Sequence, residues 1–323
     1  MRLTNAMMAN NYLRNLNRNT KELNDLNTKV TAQRKFLKMS EDPASALAAF
    51  GTRKQLVRIG VHDATLKDSQ GLLDEAEISL SSVTETATNA LTQVMQGVTG
   101  TSDEQAHKVI AKSLRSLQES LLGAANAKFS DKYVFGGEGF EDMPFTLDGS
   151  GNLLYHGVNV DTGTFSQEHR YVDIGLGLNI SGGVVSPQSA MDTAYSGADL
   201  LGAGMDSNGI SNNLYQLLGQ IADKFDDPTD DLSDMNLYTQ KLEARSDDIR
   251  MQYVSVGEKA NYITFFADRL DREKIAASDK QNKLENLSLE EGIMQFTQQE
   301  LVYNACLQMG TKILQPSLLD YLS

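Results

Sequence analysis

The apolar positions of this chain follow helical periods at both ends and a two-residue period in the middle. In the first region Ala9, Leu16, Leu23, Val30 and Leu37 recur every seven residues, with Tyr12 and Leu26 at the complementary heptad positions. That spacing is a coiled-coil seam, because two apolar positions per seven keep one stripe facing a partner helix. Asn19 and Gln33 interrupt it. Polar seam positions weaken a pair but penalise wrong registers; a poorly optimised surface helix carries the same pattern. The spacing predicts a first helix that ends near Met39. Asp42 followed by Pro43 marks the next start, since Asp caps free N–H groups and Pro fits the first turn.

Helical spacing then runs from Leu47, Phe50, Val57 and Val61 through Leu72, Ala76, Leu80, Val83, Ala87 and Val94 to Val98 with no proline after Pro43. One helix of roughly 80 Å is expected at 1.5 Å per residue. Gly60 and Gly71 each lower local propensity by about 1 kcal/mol and are candidate kinks. A further helix starts at Ser102 or Asp103, carries Ile110, Leu114, Leu117 and Leu121, and ends before the Phe135-Gly136-Gly137 turn.

In the middle, Val172, Ile174, Leu176, Leu178 and Ile180 alternate with Asp173, Gly175, Gly177 and Asn179, which predicts a half-buried strand. Asp148-Gly149-Ser150-Gly151-Asn152, between Phe145 and Tyr155, has the residues of a hairpin turn. It lacks the spaced carboxylates and closing Glu of a calcium loop. Of the 25 glycines, 15 lie between Gly136 and Gly209, so helical flanks enclose a glycine-rich insert.

A short helix around Leu214, Leu218, Ile221 and Phe225 precedes the Asp226-Asp227-Pro228 break. Leu242, Ile249, Tyr253, Val256, Ala260, Ile263, Ala267 and Leu270 then form one apolar face, expected to pack beside the long helix. Ser288 with Glu291 resembles a capping box, so a last helix is expected to begin there. In it Leu287, Met294 and Leu301 repeat by seven, and Ile293, Phe296, Val302, Tyr303, Leu307, Ile313 and Leu314 widen the band beyond a two-helix seam. More than one neighbour is expected.

Ordering a residue costs about 1–2 kcal/mol of backbone entropy, and fully burying a Leu or Val recovers about 1.5–3 kcal/mol. The first seam supplies such a residue only about once in four or five positions. Both ends are therefore expected to be frayed in a free monomer and to order when other subunits pack them.

Composition narrows the function. The 323 residues, 40% hydrophobic, can bury a sizeable core, while a formal net charge of −14 opposes binding to nucleic acid or anionic lipid. No run approaches the apolar length of a membrane span, and the first residues lack the basic start and apolar core of a Sec signal. The expectation is a chain without membrane insertion that does not use Sec export. Cys306 is the only cysteine and reads as a small apolar residue on a packed helix. There is no HExxH, GxSxG, P-loop or strand-linked GxGxxG. His62, His107, His156 and His169 are scattered; Gly136-Gly137-Glu138-Gly139 follows a helix and reads as a junction turn; Asp226, Asp227, Asp230 and Asp231 read as a solvated loop. No catalytic residue, cofactor or metal is assigned.

Four motifs carry a family resemblance. Met1-Arg2-Leu3-Thr4-Asn5-Ala6-Met7-Met8, continued by Tyr12-Leu13-Arg14-Asn15-Leu16, resembles the start of the hook-filament junction proteins (hook-associated protein 3) of the flagellin superfamily. Ser40-Glu41-Asp42-Pro43-Ala44 is similar to that superfamily's turn between its first two helices, and Lys132-Tyr133-Val134-Phe135-Gly136-Gly137 to the helix end from which its variable outer domain emerges. Lys312-Ile313-Leu314-Gln315-Pro316-Ser317-Leu318-Leu319-Asp320-Tyr321-Leu322 resembles the junction proteins' C-terminus rather than flagellin's. The resemblance implies a mainly α fold with a β-rich insert, flagellin-like: paired terminal coiled-coil helices, a long-helix bundle core and a small outer β domain. The expected division is 1–42 and 288–323 as assembly helices, 43–135 and 206–287 as the two halves of the helical core, and 136–205 as the outer domain. The expected assembly interface is Leu16, Leu23, Leu26, Val30, Leu37, Leu287, Met294, Leu301, Leu307, Leu314, Leu318 and Leu319.

By the same resemblance the chain is a non-enzymatic subunit of the bacterial flagellum at the hook-filament junction. It would be exported unfolded by the flagellar type III apparatus after a cytoplasmic stage with a dedicated chaperone. Its copies would form a ring between hook-associated protein 1 and flagellin, the terminal helices lining an export channel. A flagellin filament subunit is the alternative. A secreted enzyme with its site in the insert, or a cytosolic coiled-coil signalling protein, would need a catalytic motif or a stable dimer respectively.

Overall fold

A computed structural model describes residues 2–99, 103–227 and 232–313, with side chains described over 7–99, 103–227 and 232–311. The elements are α1 (Arg2–Ala32), α2 (Pro43–Val98), α3 (Glu104–Ala125), β1 (Lys128–Phe129), β2 (Lys132–Tyr133), β3 (Phe145–Leu147), β4 (Leu153–Tyr155), β5 (Val158–Asn159), β6 (Tyr171–Val172), β7 (Ile180–Ser181), β8 (Val184–Val185), β9 (Met191–Asp192), α4 (Gly197–Leu201), α5 (Leu214–Asp226), α6 (Met235–Glu285) and α7 (Leu289–Ile313). The fold is thus mainly α with a β-rich insert. Two compact units divide it: a terminal unit of 1–59 and 272–323, and a central unit of 60–271.

Within the terminal unit, α1 stops at Ala32, well short of Met39. Gln33 takes the left-handed backbone region at φ 53°. Its N–H donates to the Val30 carbonyl (3.1 Å) and the Arg34 N–H to the Lys29 carbonyl (3.0 Å). These two bonds form a Schellman stop, which satisfies the last carbonyls of a helix and usually uses glycine. Leu37 and Gln33 therefore lie past the helix, so the predicted seam ends at Val30. Leu37 is exposed in the connection. At the next start the Asp42 carboxylate accepts from the Ser45 N–H at 3.0 Å, as its capping role requires.

The 56 residues of α2 run without a break at Gly60 or Gly71. Gly71 provides clearance instead: a Cβ there would overlap the Phe129 ring, and one at Gly97 the Phe225 ring. In the central unit Leu66, Leu72, Leu73, Ala76, Leu80, Val83, Ala87, Ala90 and Val94 supply the α2 share of the core. The earlier part differs from its apolar pattern. Leu47, Phe50, Val57 and Val61 are exposed, while the smaller Ala46, Ala49 and Thr52, with Ile59, are buried.

Also in the central unit, Asp103 caps α3 by accepting from the Ala106 N–H at 2.8 Å, and Asn213 caps α5. The two helices bury Leu114 and Leu121 with Leu214, Leu217, Leu218 and Ile221. The Gln118 amide crosses between them to the Tyr215 carbonyl at 2.7 Å. α6 turns Leu242, Ile249, Val256, Ile263 and Leu270 inward, and its Tyr253 hydroxyl donates to the Glu77 carboxylate of α2 at 3.1 Å.

The insert is made of short antiparallel pairs. β3 and β4 pair with Phe145 opposite Tyr155, and the turn between them has Asp148 accepting from the Ser150 and Asn152 N–H groups with Gly151 at φ 83°. The alternation from Val172 to Ile180 does not form one strand. Gly175 and Gly177 both adopt φ 86°, which bends the chain after β6, so β6 pairs with β9 and β7 with β8. Tyr155 is the hub, its ring between Phe145 and Phe165 and its hydroxyl donating to the Glu168 carboxylate (3.1 Å). Burial pushes the Tyr155 hydroxyl well above its ordinary titration range.

Candidate assembly interface

The least exposed positions of α1 include Ala9, Tyr12, Leu16, Asn19, Leu23, Leu26 and Val30, the heptad positions of its sequence. They face α7, which runs antiparallel to α1 and presents Gly292, Phe296, Gln299, Tyr303, Cys306 and Gly310. Val30 seats on Gly292, where a Cβ would come within 3.0 Å of the Val30 Cγ2. Tyr12 seats on Gly310, where a Cβ would overlap its hydroxyl. Between them the Asn19 amide donates to the Cys306 Sγ at 2.9 Å, and the Gln299 amide donates to the Glu22 carboxylate at 3.1 Å. Leu16, Leu23, Leu26 and Val30 therefore lie in an intramolecular seam between the chain's two ends. The seam is thin. Asn19 is its one buried α1 side chain among those described, so much of the contact stays open to water.

The sequence pattern places the α7 seam at Leu287, Met294 and Leu301, and the structure places these elsewhere. Leu287 is half-buried in the connection before α7, against Gly292. Met294 and Leu301 are 64% and 69% exposed, and Ile293, Val302 and Leu307 are exposed as well. Met294 and Leu301 face away from the α1 seam, which uses the other side of α7, while Ile293, Val302 and Leu307 flank it. Leu314, Leu318 and Leu319 lie outside the described residues. From Gly292 to Thr311 the only charged residue is Glu300, the rest of the outer face being Gln, Asn, Thr and apolar residues. Such a surface can be covered with little cost in desolvated charge. The inner α7 residues escaped the sequence reading because two are glycines, although 292, 296, 299, 303, 306 and 310 keep steps of four and three.

A clasp holds the two chain breaks of the terminal unit together. The Lys35 N–H donates to the Glu285 carbonyl (2.8 Å) and the Leu287 N–H to the Gln33 carbonyl (3.0 Å). Glu285 then turns its carboxylate onto the Arg53 guanidinium, accepting from Nε at 2.7 Å and Nη2 at 2.5 Å, with Arg34 4.0 Å away. Its side chain is 6% exposed. The Arg53 fork holds the Glu285 carboxyl below its ordinary range, outweighing the opposing effect of burial. Lys29 likewise pairs with Glu41 at 2.8 Å and depresses its carboxyl, tying the end of α1 to the connection. Of these charged residues only Glu41 lies in a sequence motif, the Ser40-Glu41-Asp42-Pro43-Ala44 turn.

The histidines sit at separate places: His62 near Asp173 (3.9 Å), His107 on the Gly97 carbonyl (3.2 Å), His156 on the Gly136 carbonyl (3.1 Å) and His169 on Asp192 (2.7 Å). His107 also packs against Phe225. Each has a local structural partner.

Residues 3–139 match the bacterial flagellin N-terminal helical region. No curated protein matches the chain. Among solved structures, a candidate flagellar hook-associated protein of Vibrio parahaemolyticus aligns with TM-score 0.60 at 16% identity, covering 76% of this chain and 100% of that one. Hook-associated protein 3 of Legionella pneumophila gives TM-score 0.57 at 10% identity over 72% and 98% of the two chains, and Bacillus cereus FlgL gives 0.53 at 18% over 72% and 99%. The chain carries a flagellin-type N-terminal helical region and has the fold of these hook-associated protein structures.

Proposed function

We propose that a chain with a flagellin-type N-terminal region and this fold is a structural, non-enzymatic subunit of the bacterial flagellum. It forms the hook-filament junction as a ring of copies, with hook-associated protein 1 on one side and flagellin on the other. The observation that carries this reading is the two-sided character of α7. One face closes on α1 through glycines, while the opposite face is open and nearly uncharged, with Met294 and Leu301 exposed among Gln, Asn and Thr. A helix needed only for an intramolecular pair would carry charge on its outer side. Leu307 belongs to the same helix, and Leu314, Leu318 and Leu319, which follow it in sequence, are assigned to contacts with neighbouring subunits. Before assembly the subunit passes through the flagellar type III export apparatus, with a cytoplasmic chaperone covering the C-terminal helix.

The test is deletion of the gene in its host. The expected result is hooks without filaments, with flagellin lost to the medium. Normal filaments on the deletion strain would overturn the junction assignment. The flagellin N-terminal match leaves a filament subunit as the second reading. A filament subunit predicts that deletion removes the filament without releasing another flagellin into the medium.

A further inference from the structure

Two exposed helical stripes outside the α1–α7 seam share one pattern. On α2, within the terminal unit, the buried side is Ala46, Ala49 and Thr52, and the exposed side is Leu47, Phe50, Lys54 and Val57. On α6, within the central unit, Ile249, Val256 and Ile263 point inward and Met251, Val254, Glu258, Tyr262 and Phe265 outward. Leu47, Phe50, Val57, Met251, Val254 and Phe265 are each between 59% and 69% exposed, far too open for core positions. Counted from its first residue, each stripe has large apolar side chains at the start and three residues on, a charge seven residues on, and another apolar or aromatic residue ten or eleven on. These are the steps of three and four that make a helix-pairing seam. At 1.5 Å per residue each segment is about 15 Å long.

The charges are opposite. Residues 43–59 contain Arg53, Lys54 and Arg58 and no carboxylate. Arg53 is engaged by Glu285, whereas Lys54 has no ion-pair partner among the described residues. Between Met251 and Phe265 the one carboxylate is Glu258, also without an ion-pair partner among the described residues. Its neighbour Lys259 is turned over the Tyr195 ring at 4.4 Å, away from the stripe. A charge within an apolar seam is unfavourable against an apolar partner and favourable against its opposite, and on α2 the exposed Arg58, one turn after Lys54, adds a second cation to the same face.

We propose that the Leu47, Phe50, Lys54 and Val57 stripe of one copy docks on the Met251, Val254, Glu258 and Tyr262 stripe of a second copy, with Lys54 facing Glu258. The matched spacing and opposite central charges name the occupant: each stripe is the other's complement. Two different surfaces meet, so the contact is heterologous, and each copy keeps one free stripe of each kind for the next. Such a contact can pass from copy to copy, as a ring of subunits requires. The inference rests on the proposed assembly of copies in the flagellum and adds a lateral contact separate from the terminal helices.

The test uses the full chain in the deletion host, in a Cys306→Ala background, with Lys54→Cys and Glu258→Cys in the same chain. Mild oxidation of sheared flagella is expected to give a covalent ladder of two, three and more copies, absent from either single-cysteine variant. Lys54→Glu is expected to lower the amount incorporated at least about tenfold, because it sets two carboxylates face to face, and K54E/E258K to restore most of it. The proposal is overturned if normally incorporated chains give no ladder, a bond within one copy, dimers from one single-cysteine variant, or a bond to a different protein. It is also overturned if the charge swap restores nothing. Failure of the functional reading looks different: the wild-type chain itself is then missing from purified hook-filament preparations, and the ring falls with it.

Discussion

The α3–α5 pair of the central unit and the α1–α7 pair of the terminal unit both join helices across a long stretch of sequence, yet they are built to opposite ends. The first removes Leu114, Leu121, Leu214, Leu217, Leu218 and Ile221 from water completely. The second leaves most of its leucines half-exposed, seats Tyr12 and Val30 on glycines, and turns Met294 and Leu301 outward. Heptad spacing alone does not separate a finished core from an unfinished one; the degree of burial does. A pair whose covered side is half-open and whose outer side exposes Met294 and Leu301 among uncharged polar residues is suited to further packing.

The largest expected effect separates the two pairs by stability. Leu114→Ala removes a fully buried side chain and should cost about 2–5 kcal/mol. Leu23→Ala, in the half-open seam, should cost at most about 1 kcal/mol, since little surface is returned to water. Denaturant unfolding of the purified chain reads both. Equal losses would erase the distinction between core and seam.

Next in size is Gly310→Leu, which fills the seat of Tyr12. Overpacking of this kind costs about 1–3 kcal/mol, offset in part by the better helix propensity of Leu. The loss should stay in the terminal unit. Protease should cut α1 and α7 sooner while the main unfolding transition keeps its midpoint; an unchanged digestion pattern would mean that Gly310 does not hold the seam.

These sites also mark what was legible in the sequence. The heptad of α1 could be read as far as Val30, because from Arg14 onward one face carries its leucines and the rest is Asn, Arg, Lys and other polar residues. The end of the helix could not, because Gln33 performs a turn that ordinarily announces itself as glycine. On α7 apolar residues surround the helix, so Leu287, Met294 and Leu301 satisfy a seam period as well as the true seam does. The true seam rests partly on Gly292 and Gly310, which carry no hydrophobic signal. In the insert the run from Val172 to Ile180 has the period of a strand, but two of its four polar-side positions, Gly175 and Gly177, take positive φ, and backbone freedom overrode the pattern. The Glu285 clasp was invisible because its partners, Arg34 and Arg53, lie more than two hundred residues away in sequence.

That clasp gives a smaller, pH-dependent effect. The Glu285 carboxyl is depressed below its ordinary value of 4.5, chiefly by the hydrogen-bonded Arg53 guanidinium. The folded form therefore favours the ionised group. Its contribution is present above the unfolded value and is lost as pH falls through the folded one. Because Arg53 is about half exposed, the pair is worth on the order of 1 kcal/mol. Glu285→Gln should weaken the terminal unit by that amount at neutral pH and by less in acid. A deficit that stays constant from neutral pH down through the acid limb would show that the charge contributes nothing.

The smallest effect on the folded chain should come from Leu301→Asp, and it tests the comparison most sharply. Leu301 is 69% exposed and faces away from α1, so a carboxylate there remains hydrated and stability should change by no more than about 0.5 kcal/mol. Leu114→Ala damages the fold; Leu301→Asp should leave the fold intact and damage only what covers α7 in an assembly. A charge buried without a partner is strongly unfavourable, so incorporation into flagella should fall far more than stability does. The same amount of soluble chain with the same unfolding midpoint, but absent from sheared flagella, is the expected outcome. Normal incorporation would mean that the outer face of α7 stays in water, and the two-sided reading of that helix would fail.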